Sequence, residues 1–177
     1  MKRQLSAIQV GKALDRLYQA IAKQLPSGSR IAVIGIRSRG ETLSQRLVQR
    51  LRDDKPDRVV NHGVLDITFY RDDLSRHAGR ALVRATEIDF DLNDAWVLLV
   101  DDVLETGRTI RAALDALADF GRPRVVRLAV LIDRGGRELP IAADFVGQHV
   151  LVDDEAKVQV KLKENDGEEG VFISPTR

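Results

Sequence analysis

The chain has 177 residues, no cysteine, 28 basic and 27 acidic side chains, and a formal net charge of +1. This length is sufficient to bury a core without disulfides or thiolate-bound zinc, and the charge balance excludes a global field that would attract nucleic acid. The N-terminus carries charges throughout and lacks a continuous apolar stretch, so we expect no signal peptide and no membrane span. A single domain over residues 1–177 in the cytoplasm is the expectation.

The hydrophobic pattern alternates between helix and strand periods along most of the chain. Apolar residues recurring at helical spacing predict helices, and short β-branched runs predict buried strands. In chain order the pattern predicts a helix over 8–25, a strand over 31–36, a helix over 41–51, a strand over 64–69, a strand over 95–100, a helix over 110–118 and a strand over 125–132.

The remaining segments are more polar. Residues 70–88 are charged and broken by Gly79, which predicts a long mobile excursion. Residues 143–147 and 158–162 predict short closing strands, and 163–170 a solvated turn before a last strand. Because strands and helices alternate, we expect an α/β fold with a parallel sheet covered by helices.

Two adjacent carboxylates, Asp101 and Asp102, follow one of the predicted strands. Ligands of open parallel sheets collect at the carboxyl ends of the strands. The hydroxyls and backbone N–H groups of Thr106, Gly107 and Thr109, at the start of a helix, suit a phosphate, and carboxylates complement vicinal hydroxyls. The pattern therefore favours a ribose 5-phosphate ligand, although the acids alone are equally compatible with a turn and helix cap. The turn is neither a Walker A loop nor a G-x-G-x-x-G loop.

The sequence VLLVDDVLETGRT, residues 97–109, resembles the phosphoribosyl pyrophosphate (PRPP) signature of type I phosphoribosyltransferases. The sequences at 65–75 and 128–147, LDITFYRDDLS and LAVLIDRGGRELPIAADFVG, resemble more narrowly the family of pyrimidine operon regulatory proteins (PyrR). The resemblance spans about residues 10–163. It implies the type I phosphoribosyltransferase fold, with a central parallel sheet flanked by helices, a flexible loop and a small base-recognition hood. It also implies mRNA attenuation combined with uracil phosphoribosyltransferase activity.

The resemblance assigns roles to residues of several loops. Asp101, Asp102 and Arg39 form the implied catalytic set. The two acids bind ribose hydroxyls and, directly or through water, a Mg²⁺ ion, and Arg39, preferred over Arg37, binds diphosphate. The implied substrate-binding residues are Ser38, Arg39, Gly40, Glu105, Thr106, Gly107, Arg108 and Thr109, together with Asp133, Arg134 and Arg137 in the segment implied to recognise uracil. The implied flexible loop contains Tyr70, Arg71, Asp72, Asp73 and Arg80.

The implied partners are PRPP, uracil, UMP and a leader mRNA, with assembly into a homodimer or higher homo-oligomer and no membrane partner. Gly136 and Gln19 stand where the family commonly has histidines, which bears on RNA binding and base affinity. A purine phosphoribosyltransferase remains an alternative, because hypoxanthine enzymes share the acidic pair and a similar DFVG strand. A second open question concerns five arginines, which form either an RNA-contacting face or a solvated edge: Arg122, Arg124, Arg127, Arg134 and Arg137.

Overall fold

The computed structural model describes residues 1–71 and 85–175. Within these ranges no helix is long and apolar enough to cross a membrane. The helices and strands are β1 (Lys2–Leu5), α1 (Ala7–Gln24), β2 (Ile31–Ile36), α2 (Arg39–Asp54), β3 (Val60–Leu65), β4 (Trp96–Leu104), α3 (Arg108–Leu117), β5 (Val125–Asp133), β6 (Phe145–His149), β7 (Ala156–Lys161), α4 (Lys163–Asp166) and β8 (Gly170–Pro175).

Five strands form the main sheet in the order β3-β2-β4-β5-β6, and all four neighbouring pairs are parallel. The predicted α/β fold with a parallel sheet is therefore confirmed. From β2 the chain moves outward to β3 and then returns to the other side of β2 as β4. Such a reversal leaves a crevice at the carboxyl ends of the two strands, where ligands of these folds bind.

The two chain ends form a second, smaller sheet in the order β1-β8-β7, with antiparallel pairing. We call this sheet together with α4 the hood. Its apolar residues Val158, Val160, Leu162 and Val171 are buried in the same core cluster as α1 and α2. The hood is thus anchored by hydrophobic burial to one side of the main sheet.

Helices cover both faces of the main sheet. α1 begins with a capping box between Ser6 and Gln9 and buries Val10, Leu17 and Ile21. The inner residues of α1 and α2 share one core cluster, whereas those of α3 belong to a second. β2, between two partner strands, is buried along its whole length, as expected for a central strand with helices on both faces.

A strand is present here, but the predicted bounds of 64–69 are wrong. β3 ends at Leu65, and residues 68–70 form a single 3₁₀ turn in which the side chain of Phe69 is exposed. The carboxylate of Asp66 accepts the backbone N–H of Thr68 at 2.8 Å, and this local hydrogen bond replaces the pairing that a continued strand would require. The alternating apolar pattern therefore describes a turn at the end of a strand.

Two further boundaries move residues of the site. α2 begins at Arg39, two residues before the predicted helix, so Arg39 and Gly40 lie in its first turn. β4 continues to Leu104, which places Asp101 and Asp102 inside the strand instead of after it. β4 extends past its apolar run because it stays paired with β5 as far as Leu104 and Asp133, and the first turn of α2 precedes the apolar residues from which the helix was predicted.

Candidate functional site

Two adjoining cavities of about 550 and 460 Å³ lie at the carboxyl ends of β2 and β4. The larger cavity lies between the loop after β4 and strand β7, and the smaller between the loop after β2 and the turn after β3. The residues that line both cavities are Arg39, Arg71, Asp102, Val103 and Thr109. Because they share these walls, we describe the cavities as one site.

Asp101 and Asp102 lie at the centre of this site. Asp101 is buried and lines the smaller cavity, whereas Asp102 lines both. One oxygen of each carboxylate accepts the backbone N–H of the next residue at 2.9 Å. These two bonds fix the orientation of both side chains and leave a second oxygen on each that can accept ligand hydroxyl groups.

The environment of the two acids disfavours their charged forms. Burial raises the pKa of Asp101 well above its usual value, and the adjacent charge of Asp102 raises it further. Burial also raises the pKa of Asp102, whereas hydrogen bonding from Asp101 and the positive charge of Arg39 act in the opposite direction. The pair therefore favours a ligand that brings hydrogen-bond donors or a cation to the carboxylates.

The loop between β4 and α3 forms one wall of the larger cavity, and Glu105, Thr106, Gly107, Arg108 and Thr109 all line it. The first turn of a helix has N–H groups without intrahelical acceptors, and its dipole favours an anion. Thr106 also accepts the backbone N–H of Arg108 through its hydroxyl at 3.2 Å. This wall can therefore hold a phosphate group.

Contacts behind the loop fix its shape. The carbonyl oxygen of Thr106 accepts the N–H groups of Glu138 and Leu139, each at 3.0 Å. Gly107 has φ of +93°, and a Cβ atom at this position would lie 3.3 Å from Ile141. The positive φ therefore favours glycine in this turn, and the close approach to the segment after β5 leaves little room for a side chain.

Arg39 lies at the other end of the site. Gly40 places the start of α2 against β4, because a Cβ atom there would lie only 2.5 Å from the carbonyl oxygen of Val100. Ser38 and Arg39 line the smaller cavity beside Asp102. Arg37 also lines it, but its guanidinium donates to Glu41 at 2.8 Å and to Glu87 at 3.0 Å.

The segment predicted to recognise uracil does not reach these cavities. Asp133, Arg134 and Arg137 line neither of the two. The side chain of Arg134 is 2% exposed and donates to Glu105 and to the carbonyl oxygens of Ala156 and Asp153. These donors are used inside the protein, where they connect the loop after β4 to the start of β7.

Arg137 and Asp133 belong to the same internal network. Arg137 donates to Asp133 at 2.6 Å and to the carbonyl oxygens of Glu105 and Ile141, each at 2.8 Å. Burial acts to raise the pKa of Asp133, but the hydrogen bonds from Arg137 and from the N–H of Gly135 lower it overall. Both side chains thus support the loop after β4 from behind.

The five arginines considered as an RNA face do not share one surface. Arg122, Arg124 and Arg127 are exposed near the start of β5, whereas Arg134 is buried beyond its end. A strand rises about 3.3 Å per residue, so the two groups are separated by the length of β5. Any basic surface formed by the described residues here contains the first three only.

Residues of the hood form a further wall of the site, although no residue of β7 was predicted to line it. Lys157, Val158, Gln159 and Val160 of β7 line the larger cavity across from the loop after β4. β7 is remote in sequence from the acidic pair, and its pattern indicates only a short strand. Asp66 and Thr68, in the turn after β3, also line the site; they lie in the stretch 65–75 that resembles the PyrR family, but no site role was predicted for them.

The predicted flexible loop lies mostly outside the described residues. Asp72, Asp73 and Arg80 are among residues 72–84 and are not described. Arg71 lines both cavities, and the hydroxyl of Tyr70 donates to Asp119. The structure thus brings Arg71 to the site and directs Tyr70 to a contact with Asp119.

The donor set can be compared with the requirements of Mg²⁺. Among the described residues, no group of three or more histidine, cysteine, aspartate or glutamate side chains could hold a metal ion. Asp101 and Asp102 provide carboxylate oxygens, and Mg²⁺ is commonly bound by one or two carboxylates together with water and substrate phosphates. The site therefore fits a Mg²⁺ ion that arrives with a diphosphate, and not one in a cage of protein ligands.

Known phosphoribosyltransferases share the sequence pattern and the fold of this chain. Residues 4–165 match the family described as phosphoribosyl transferase domain. The hypoxanthine phosphoribosyltransferase of Trypanosoma cruzi superposes with a TM-score of 0.71 at 18% identity, covering 99% of this chain and 97% of that one. The corresponding Staphylococcus aureus structure gives 0.67 at 18% identity, with 96% and 90% coverage. The chain thus has the type I phosphoribosyltransferase fold and belongs to the phosphoribosyltransferase family.

Sequence relatives define the subfamily. Bifunctional protein PyrR of Roseiflexus is 49% identical over 176 residues, which cover 99% of this chain and 96% of that protein. The proteins of the same name from Pelotomaculum thermopropionicum and Deinococcus radiodurans are each 48% identical, covering 94% and 92% of this chain and 92% and 88% of their own. The chain belongs to the PyrR family.

Proposed function

We propose that this protein converts uracil and PRPP into UMP and diphosphate, and that it binds a pyrimidine-operon leader mRNA in response to UMP. One observation carries the enzymatic part. The phosphate-type loop at Thr106 to Thr109, the carboxylates of Asp101 and Asp102, and Arg39 all line one continuous site. PRPP presents a 5-phosphate, two ribose hydroxyls and a diphosphate, which match these three features. Membership of the PyrR family supports uracil as the acceptor and RNA as the second ligand.

The arrangement supports a placement for each part of the substrate. The 5-phosphate binds the loop at the start of α3, and the ribose hydroxyls donate to Asp101 and Asp102. The diphosphate occupies the smaller cavity, where Ser38, Arg39 and Arg71 line the wall. The base then extends toward the larger cavity, which is lined by Lys157 to Val160 of the hood. These residues surround the base in place of the segment after β5.

The chemistry requires no covalent nucleophile. The bond between the ribose C1 and diphosphate loosens as a uracil nitrogen approaches, so the protein acts mainly by positioning both reactants and by offsetting charge on the leaving group. Arg39 and Arg71 provide positive charge at the diphosphate. Mg²⁺, when bound with PRPP, supplies additional charge neutralisation, and Asp101 and Asp102 are the residues that would hold it.

Acceptor competition tests the enzymatic proposal. The protein is incubated with PRPP, Mg²⁺ and equal concentrations of uracil, guanine and hypoxanthine, and the nucleotide products are separated by chromatography. We expect UMP as the main product. Formation of IMP or GMP in preference to UMP would identify a purine enzyme, and a protein that consumes no PRPP with any base would contradict the proposed reaction.

A gel-shift titration with the protein's own pyrimidine-operon leader RNA tests the regulatory proposal. We expect UMP to strengthen binding at fixed salt. We also expect affinity to fall as salt rises, because a nearly neutral chain must bind RNA through a local basic surface. A protein that makes UMP but does not bind the RNA would be a salvage enzyme without this regulation.

We also expect a cytoplasmic homo-oligomer, on the basis of the family resemblance.

A further inference from the structure

A row of polar contacts connects α2 to the hood. Arg39, Thr42 and Arg46 occupy positions i, i+3 and i+7, so they share one face of α2. Their partners all lie in the segment 164–169: Arg39 binds Asp166, Thr42 donates to Asn165 at 2.8 Å, and Arg46 binds Glu164 and Glu169. We call this set the α2–hood contacts.

The contact of Arg39 differs from its neighbours, because Arg39 also lines both cavities of the site whereas Thr42 and Arg46 line neither. Its Nη2 and Nε donate to the two oxygens of Asp166 at 2.6 and 3.1 Å, which is a bidentate pair. The Arg39 side chain is 26% exposed and that of Asp166 is 15% exposed. The pair is therefore partly shielded from water, which strengthens it relative to an exposed ion pair.

Asp166 is itself held in place. Its Oδ2 accepts the backbone N–H of Leu162 at 2.9 Å, and Leu162 is fully buried in the core. The carboxylate therefore has a fixed position relative to β7 and the hydrophobic core. A guanidinium whose Nε edge is bound by a fixed carboxylate has far fewer accessible rotamers than a free arginine.

The donors of Arg39 are divided between two tasks. A guanidinium carries five N–H groups, and the contact with Asp166 occupies the edge formed by Nε and Nη2. Among the described residues, Nη1 of Arg39 donates to no protein acceptor. Nη1 therefore remains available to a phosphate oxygen in the cavities that Arg39 lines.

We propose that Asp166 is a positioning residue, which holds the Arg39 guanidinium so that its remaining donors meet the diphosphate of PRPP. The proposal rests on the proposed function, since it takes diphosphate to be the ligand of Arg39. It gives the C-terminal segment a specific part in the reaction. The hood borders the larger cavity, and through Asp166 it also orients the Arg39 guanidinium, which binds the leaving diphosphate.

Substitution of Asp166→Asn in the full chain tests this proposal. Asparagine preserves the size and the acceptor for Leu162, but its amide group cannot accept a second N–H from Arg39. We expect the KM for PRPP and the inhibition constant of diphosphate each to rise about tenfold, with a smaller change in kcat. Asp166→Glu preserves the carboxylate and should restore part of the affinity.

Two variants of the same junction serve as matched controls. Asn165→Ala and Glu164→Gln weaken the neighbouring α2–hood contacts without touching Arg39, and we expect the KM for PRPP to change by no more than about twofold. An equal rise in KM in these variants would show that the junction has a structural role only, and would overturn the proposal. A lower KM in Asp166→Asn would also overturn it, because Asp166 would then compete with diphosphate for Arg39.

Calorimetric titration with diphosphate alone separates this proposal from the proposed function. Wild-type protein that binds diphosphate but makes no UMP would contradict the reaction and leave the role of Asp166 measurable from diphosphate affinity. Weaker binding by Asp166→Asn, with unchanged binding by Glu164→Gln, is the result expected from positioning. Failure of the wild type to bind diphosphate, in a protein that still makes UMP, would overturn the positioning proposal and leave the proposed reaction standing.

Discussion

The loops that follow β4 and β5 lie at the same edge of the sheet and are both rich in charged residues, but they have different roles. The loop after β4 faces the cavities, and each residue from Glu105 to Thr109 lines the larger one. The segment after β5 directs Arg134 and Arg137 inward, where their donors bind Glu105 and nearby carbonyl groups. The second segment thus supports the first.

This difference shows how a charged residue at a strand end can be assigned. An arginine that binds a ligand must have donors that reach a cavity, whereas a supporting arginine directs its guanidinium to acceptors inside the protein. Arg39 combines the two roles, since Asp166 holds one edge of its guanidinium while the side chain lines the site. Arg134 has only the supporting role, because its side chain is almost fully buried.

The largest effect that we expect is on stability, and it tests the supporting role of Arg134. Arg134→Met removes a buried cation and leaves the carbonyl oxygens of Ala156 and Asp153 without their donor. We expect the free energy of unfolding to fall by about 3 kcal/mol, measured by urea denaturation.

Arg127→Met is the control for Arg134→Met. It removes a half-exposed arginine of β5 that pairs with Asp144 at 3.2 Å, so its effect should stay within about 0.5 kcal/mol. If Arg134→Met left stability unchanged but raised the KM for uracil, the segment after β5 would contact the base directly, and the comparison of the two loops would fail.

The second largest effect that we expect is on catalysis and concerns Asp102, which lines both cavities. Asp102→Asn should lower kcat/KM for PRPP about 100-fold, because the variant loses a charged acceptor for the ribose hydroxyls and for Mg²⁺. The melting temperature should stay near that of the wild type, since asparagine keeps the oxygen that accepts the N–H of Val103. Asp115→Asn, exposed on α3, is the control and should keep full activity. Unchanged kinetics in Asp102→Asn would count against this assignment.

The smallest effect that we expect is a change in stability with pH, which arises from Asp101. The pKa of Asp101 is raised in the folded protein, so between its unfolded and folded pKa values the folded state binds more protons than the unfolded state. Stability from this group is therefore fully present below the unfolded pKa and is lost as pH rises through the folded pKa. Asp101→Asn resembles the protonated acid, so at pH 7 it should be about 1 kcal/mol more stable than the wild type while losing activity.

Urea denaturation of wild type and Asp101→Asn from pH 4 to pH 8 measures this difference. The two proteins should converge toward low pH and diverge toward neutral pH. Stability curves that run parallel over the whole range would show that Asp101 does not carry the linkage. Saturating PRPP and Mg²⁺ should reduce the advantage of the variant, since ligand binding stabilises the wild type preferentially.

The sequence was sufficient to predict much of the fold and of the phosphate end of the site. β-Branched runs and helical periods located the strands and helices of the main sheet, and the acidic pair with its T-G-x-T turn predicted the β4 loop. Local patterns predicted these features because burial of one face imposes a period, and because a helix start with small residues favours an anion. The predicted end of the strand over 64–69 was wrong, because a hydrogen bond from Thr68 to Asp66 forms a turn after β3.

Only the tertiary structure decided how residues distant in sequence are used. It placed β7 opposite the phosphate-type loop, directed Arg134 and Arg137 into the protein, and paired Arg39 with Asp166 across 127 positions of the chain. The sequence near an arginine shows the same charge whether its donors meet a ligand, a carboxylate or a buried carbonyl group. Packing of the hood against α2 and β4 determines which of these acceptors lies within reach, and no local pattern contains that information.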